Sequence, residues 1–107
     1  MFLHSVFFWL RPDLQPSQVS EFEAGVRQLM AIETVRFRYL GTPAATDRPV
    51  IDRSYSYQLV VGFDDLAGHD FYQQVDIHLA FIQRFAGYWH KVQIYDAVES
   101  AGAKSPA

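Results

Sequence analysis

The chain has 107 residues, half of them apolar, with nine Phe, six Tyr and two Trp, and its twelve acidic and nine basic side chains give a formal charge of -3. That size suits one domain with a real core, the aromatic richness excludes a disordered or linker-like class, and the lack of a basic block excludes a surface built to neutralise a phosphate backbone, so nucleic acid is not an expected partner. Cysteine is absent, which removes disulfides, thiolate metal sites and cysteine nucleophiles together and makes a cytoplasmic location the simplest expectation.

The first run, "FLHSVFFWL", is apolar and aromatic and is followed closely by Pro12, as suits a strand buried on both faces. Side-chain alternation sends His4, Val6, Phe8 and Leu10 one way and Leu3, Ser5, Phe7 and Trp9 the other. The run is too short to cross a bilayer and lacks a basic leader region, so no membrane partner is expected. Ser17 is a plausible N-cap for a helix whose inner stripe is Val19, Phe22, Val26, Leu29 and Met30. Gly25 on that helix either leaves room beneath it or admits an aromatic ring from a neighbouring element.

"TVRFRYLG" alternates as a strand, with Val35, Phe37 and Tyr39 opposed to Arg36 and Arg38, and the arginines suit a sheet edge. A long loop, "TPAATDRPVIDR", leads to "SYSYQLVVGF", a second clear strand with Tyr55, Tyr57, Leu59, Val61 and Phe63 expected to face together. "DDLAGHDFYQQVD" begins with capping residues and reads as a short helix carrying Leu66, Phe71, Tyr72 and Val75. It then bends or restarts into a stripe of His78, Phe81, Ile82 and Phe85. The last strand, "WHKVQIYDAVE", is expected to place His90, Val92, Ile94, Asp96 and Val98 on one face. Residues 1–99 form the expected domain, and 100–107 read as a flexible tail.

The order β-α-β-β-α-β is the ferredoxin-like α+β pattern, a four-stranded antiparallel sheet with its helices on one face. Helices cover only that face, yet the first strand is apolar on both, so Leu3, Phe7 and Trp9 require a partner. A homodimer that packs sheet against sheet is the economical expectation.

His78 is an imidazole on an otherwise apolar stripe, and if the His4, Val6 and Phe8 face of the first strand and the Val92, Ile94 and Asp96 face of the last strand turn toward the helices, His4 and Asp96 point into the same interior. Three polar groups there cost several kcal/mol unless something pairs them. An Asp96 carboxylate accepting from His78 would fix its tautomer and raise its basicity, with Tyr72 supplying a phenolic donor. The competing reading makes each of these a core residue satisfied by its neighbours. Metal binding through His4, His78 and Asp96 lacks support at close spacing: there is no HExxH and no His pair at i, i+4, and His69 and His78 are nine apart. No metal or organic cofactor is therefore expected.

The segments "FLHSVFFWLR", "SYSYQLVVGF", "GHDFYQQVDIHLAFIQRF" and "YWHKVQIYD" resemble the stress-responsive A/B barrel (Dabb) family of the dimeric α+β barrel superfamily. The likeness runs from Met1 to about Glu99. It implies a ferredoxin-like protomer pairing into a dimeric barrel, and places the family's early His, its Tyr and the last residue of its helical "HPxH" on His4, Tyr72 and His78. Val75 and Asp76 stand where that motif has its first His and Pro. A plant polyketide cyclase resembling the family works without metal or cofactor, with an acid-base His and a nearby Tyr that match His78 and Tyr72.

The combined expectation is a homodimer whose protomers each enclose a small apolar cavity for an aromatic or polyketide-like molecule, bordered by His4, Val6, Phe8, Tyr57 and Trp89. If it is catalytic, His78 would act as base, Asp96 as its orienter, and Tyr72 or His4 would hold a carbonyl oxygen. The alternatives are a non-catalytic, stress-associated binding or structural dimer and a cofactor-independent monooxygenase of the same superfamily. A void of ~300 Å³ or more beside His78 would favour a ligand site over solid packing.

Overall fold

A computed structural model describes residues 1–101; residues 102–107, most of the expected tail, lie outside the described part. The strands are β1 (Phe2–Leu10), β2 (Phe37–Gly41), β3 (Tyr57–Phe63) and β4 (Trp89–Val98). The helices are α1 (Pro16–Met30), α2 (Leu66–Gln74) and α3 (Asp76–Phe85), with a short 3₁₀ turn at Ala86–Tyr88. The sheet is antiparallel throughout, in the order β2-β3-β1-β4. This is the ferredoxin-like arrangement expected from the alternation of strand and helix periods.

Helix α1 begins one residue before the expected cap. Gln15, not Ser17, is its N-cap, and the Gln18 side chain accepts from the Gln15 N–H at 2.7 Å. Proline at the first helical position fits because that N–H would have no intrahelical partner. Phe22, Val26, Leu29 and Met30 are buried as the stripe requires. They pack over Val6, Phe8, Leu59, Val61 and Phe63 on the sheet. Gly25 serves close approach: a Cβ there would stand 2.5 Å from Cε2 of Phe85.

Three strand assignments differ from the expectation. Tyr55 precedes β3 and packs edge to face against Phe7 and Trp9 on the helix-free face, because the irregular stretch before Tyr57 breaks the alternation. In β4 the register shifts opposite Trp9 and Leu10, so His90 leaves the helix-facing row and Trp89 turns inward onto Phe8 and Phe81. Val35 is buried but lies ahead of β2, while Phe37 and Tyr39 are exposed. In α2, Leu66 and Phe71 are exposed and only Tyr72 is fully buried.

The helices cover one face and leave the β4 edge open, so Val92 and Ile94 remain exposed although they point to the helix side. Leu3, Phe37, Tyr39 and Tyr95 are exposed as well, on the opposite face by strand parity. Around Phe7 and Trp9 that face carries an aromatic hollow with Tyr55 and Tyr95, and the Lys91 Nζ lies 4.4 Å from the Trp9 ring centre. Among the described residues no helix is long and apolar enough to cross a membrane.

Candidate functional site

A cavity of about 130 Å³ lies between sheet and helices, bordered by His4, Val6 and Phe8 of β1, Tyr72 and Gln73 of α2, and His78 of α3. Trp89, Val92 and Ile94 of β4 and Ile82 of α3 line its remaining wall. Of the expected border residues only Tyr57 is elsewhere: its hydroxyl donates to Glu23 at 3.1 Å, and its ring packs on Phe22. A larger groove of about 440 Å³ runs between α1 and α3. Glu21 and Arg84, two of its lining residues, are bridged at 3.2 Å, and it contains no imidazole.

His4 is placed by β1, whose register sets it directly opposite Asp96 of β4. The Nδ1 of His4 lies 2.5 Å from the Asp96 Oδ1. A carboxylate only accepts, so this bond puts the His4 proton on Nδ1 and leaves a lone pair on Nε2. Asp96 thus orients His4 and not His78; an orienter was expected, but the strand register assigns it to the other imidazole. His4 is only 3% exposed. Burial pushes its pKa below the ordinary histidine value, and the Asp96 bond and charge oppose that shift.

Tyr72 and His78 meet because the helix breaks between them. Val75 adopts φ -71 and ψ 153, ending α2 and capping α3. In an unbroken helix two residues six apart would be separated by about 9 Å of rise and face different sides. Here their ring centres are 5.0 Å apart, edge to face, and Tyr72 also sits 5.9 Å from His4. Burial raises the Tyr72 pKa, so its hydroxyl is a donor and not a base. Burial lowers that of His78, and His4 and His69 would repel a second positive charge there. The Nδ1 of His78 is buried without a hydrogen-bond partner in the protein.

Two polar residues not expected at this site stand beside His4. Gln73 places its side-chain amide nitrogen 3.5 Å from Nε2 of His4 and 3.4 Å from Nε2 of His69. His69 lies over Phe2 and faces His4, with ring centres 4.6 Å and 5.0 Å away. The available signal was the i, i+4 spacing of His69 and Gln73 on α2, which puts both on one helix face.

A family model described as "Stress responsive A/B Barrel Domain" matches residues 2–99. Several solved structures resemble the chain over nearly its whole length. A Dabb family protein with a ferredoxin-like fold from Mesorhizobium loti is 24% identical, with 94% of this chain and 97% of that chain covered and a TM-score of 0.77. A hydroxynitrile lyase from Passiflora edulis is 18% identical, with 96% of each chain covered and a TM-score of 0.78. A dimeric ferredoxin-like protein of unknown function from Thermobifida fusca is 19% identical, with 92% and 90% covered and a TM-score of 0.74. No curated protein matches the sequence.

Proposed function

The chain belongs to the stress-responsive A/B barrel family, and on that premise we propose that it acts as a homodimer whose protomers each bind a small carbonyl compound and move a proton on it without a cofactor. The observation that carries this reading is the convergence of two imidazoles and a phenol on one cavity. Their local surroundings give them different roles. His4, with Nδ1 held by Asp96, presents a lone pair on Nε2 and takes the proton. His78, whose Nδ1 lies unpaired in the interior, carries its proton on Nε2 and with Tyr72 holds the developing oxyanion. This exchanges the roles of the two histidines relative to the sequence expectation and keeps the reaction class.

The cavity also limits the ligand. At about 130 Å³ it does not reach the ~300 Å³ expected of a ligand site beside His78, the volume usual for drug-sized ligands. It is close to the ~150 Å³ that accommodates benzene in an apolar interior. The ligand class is therefore one ring or smaller, not an extended polyketide. The hydroxynitrile lyase of similar fold supports small-molecule carbonyl chemistry on this scaffold only as an analogy, because fold alone does not transfer an activity.

Ring signals of His4 and His78, followed by NMR during titration with acetone, cyclohexanone and benzaldehyde, test binding. Deuterium incorporation from solvent into the first two tests proton transfer. We expect both ring signals to move and incorporation to fall on the order of 10²-fold in His4→Gln. Ring signals that ignore all three compounds at millimolar concentration would favour histidines with a purely structural role.

A further inference from the structure

We propose that His4, His69 and Asp96 form a binding site for one divalent transition-metal cation of the zinc class. One ring nitrogen from each histidine and one Asp96 carboxylate oxygen lie within 4.8 Å of one another. The three come from β1, α2 and β4, so the fold and not a flexible loop brings them together.

The second observation concerns what stands behind the ligands. Nδ1 of His69 donates to Asp70 Oδ1 at 3.1 Å. That bond fixes the tautomer with Nε2 bare and pointed away from Asp70, the carboxylate–histidine arrangement that orients imidazoles on metals. Phe2 and Phe63 hold the ring, with centres 4.6 Å and 5.8 Å away. Gln73 lies against Nε2 of His4 at 3.5 Å and of His69 at 3.4 Å, and turning its amide would let its oxygen accept from an Nε2–H of His4. Asp96, half-exposed on an edge strand, gives a cation a way in from solvent and leaves a coordination position for water.

Two imidazoles and one carboxylate select borderline cations such as Zn²⁺ or Co²⁺ over Mg²⁺ or Ca²⁺, which take all-oxygen sets. The cation would take the place of the proton now held between His4 and Asp96, and Nε2 of His4 would then carry the ring proton, which keeps the imidazole neutral. The His4 Nδ1 and the Asp96 Oδ1 are 2.5 Å apart, so the Asp96 side chain must swing outward until they stand roughly 3.3 Å apart, as two ~2.0–2.1 Å tetrahedral bonds require. With the ring proton on Nε2, His4 has no lone pair left to accept another proton, so cation binding and proton transfer exclude each other. The site does not rest on the catalytic reading, and its readout is binding alone.

The test uses the full chain, treated with a chelator and titrated with Co²⁺ alone, followed by its ligand-field absorption and by the shift in unfolding temperature. One cation per chain is expected, with affinity unchanged in His90→Ala, a surface histidine away from the site. His69→Ala should weaken binding about 100-fold and Asp70→Asn about tenfold. Equal affinity in wild type and His69→Ala, or loss in His90→Ala, overturns the site. Should His69→Ala fail to fold, Asp70→Asn decides alone: its carboxylate is exposed, and an unchanged Co²⁺ affinity refutes the proposal.

Discussion

Asp96 and His4, 92 residues apart in sequence, share a hydrogen bond of 2.5 Å across the β1–β4 ladder. Because burial lowers the His4 pKa and Asp96 raises it, Asp96→Asn should lower it further, and ¹⁵N NMR of the ring against pH measures the change. The variant should also lose preference for the Nδ1–H tautomer. An unchanged titration would mean the carboxylate does not govern this ring.

Mild acid should weaken the fold. His4 and His78 both have folded pKa values below the ordinary ~6.5. As pH falls, the unfolded chain takes up these protons first, so the stability they contribute is complete above about pH 6.5 and declines below it. The slope is at most about 1.4 kcal/mol per pH unit for each ring. Urea unfolding at pH 7.5 and 5.5 should show lower stability at the acid value, with a smaller difference in His78→Gln. A flat profile across that interval would contradict the burial argument.

Gly25→Ala pits helix propensity against packing. Alanine would favour α1 by about 1 kcal/mol, but its Cβ would stand 2.5 Å from a buried ring atom of Phe85. Overpacking of this kind costs about 1–3 kcal/mol, so the variant should melt lower. Adding Phe85→Leu should recover part of the loss, relative to Phe85→Leu alone. Thermal unfolding of the four proteins forms a double-mutant cycle, and additive effects would show that the contact does not matter.

The helix-free sheet face carries Phe37 and Tyr95, both exposed in the protomer. A charge at the centre of a sheet-to-sheet interface should be far more damaging than one at its rim. Tyr95→Glu is expected to weaken self-association by about 30-fold or more, roughly 2 kcal/mol, while circular dichroism stays unchanged. Sedimentation equilibrium reads the result, and a monomeric wild type would remove the homodimer from the proposed function.

The element order was legible because alternation in β1 and β3 and the helical stripe of α1 each follow one period over many residues. The misplacements fall where a period is interrupted: Tyr55 lies ahead of the ladder, and His90 sits at the register shift. Tyr72 and His78 could be named from their residue types and the family pattern. The partner of Asp96 could not, because it depends on how β4 registers against β1, and no local spacing encodes that. His69 was hidden for the same reason: comparison with His78 measured distance along the chain, whereas its neighbour in space is on another element.

The break at Val75 is the feature on which contact between Tyr72 and His78 depends, and it forms without the proline found in the family motif. Val75 is already extended at ψ 153, the conformation a following proline demands. Asp76 is the first residue of α3, where a proline lacks an N–H that would be unpaired within the helix anyway. Asp76→Pro should therefore be tolerated. The stiffer unfolded chain offers about 0.4–1 kcal/mol, set against about 0.3–1 kcal/mol from losing a negative charge at the helix N-terminus. An unfolding temperature within a few degrees of wild type, with the His78 ring signal unshifted, is the expected outcome. A large loss of stability would mean that the break is held by the Asp76 backbone or side chain, and not by the packing of Tyr72 and Phe81 on either side of it.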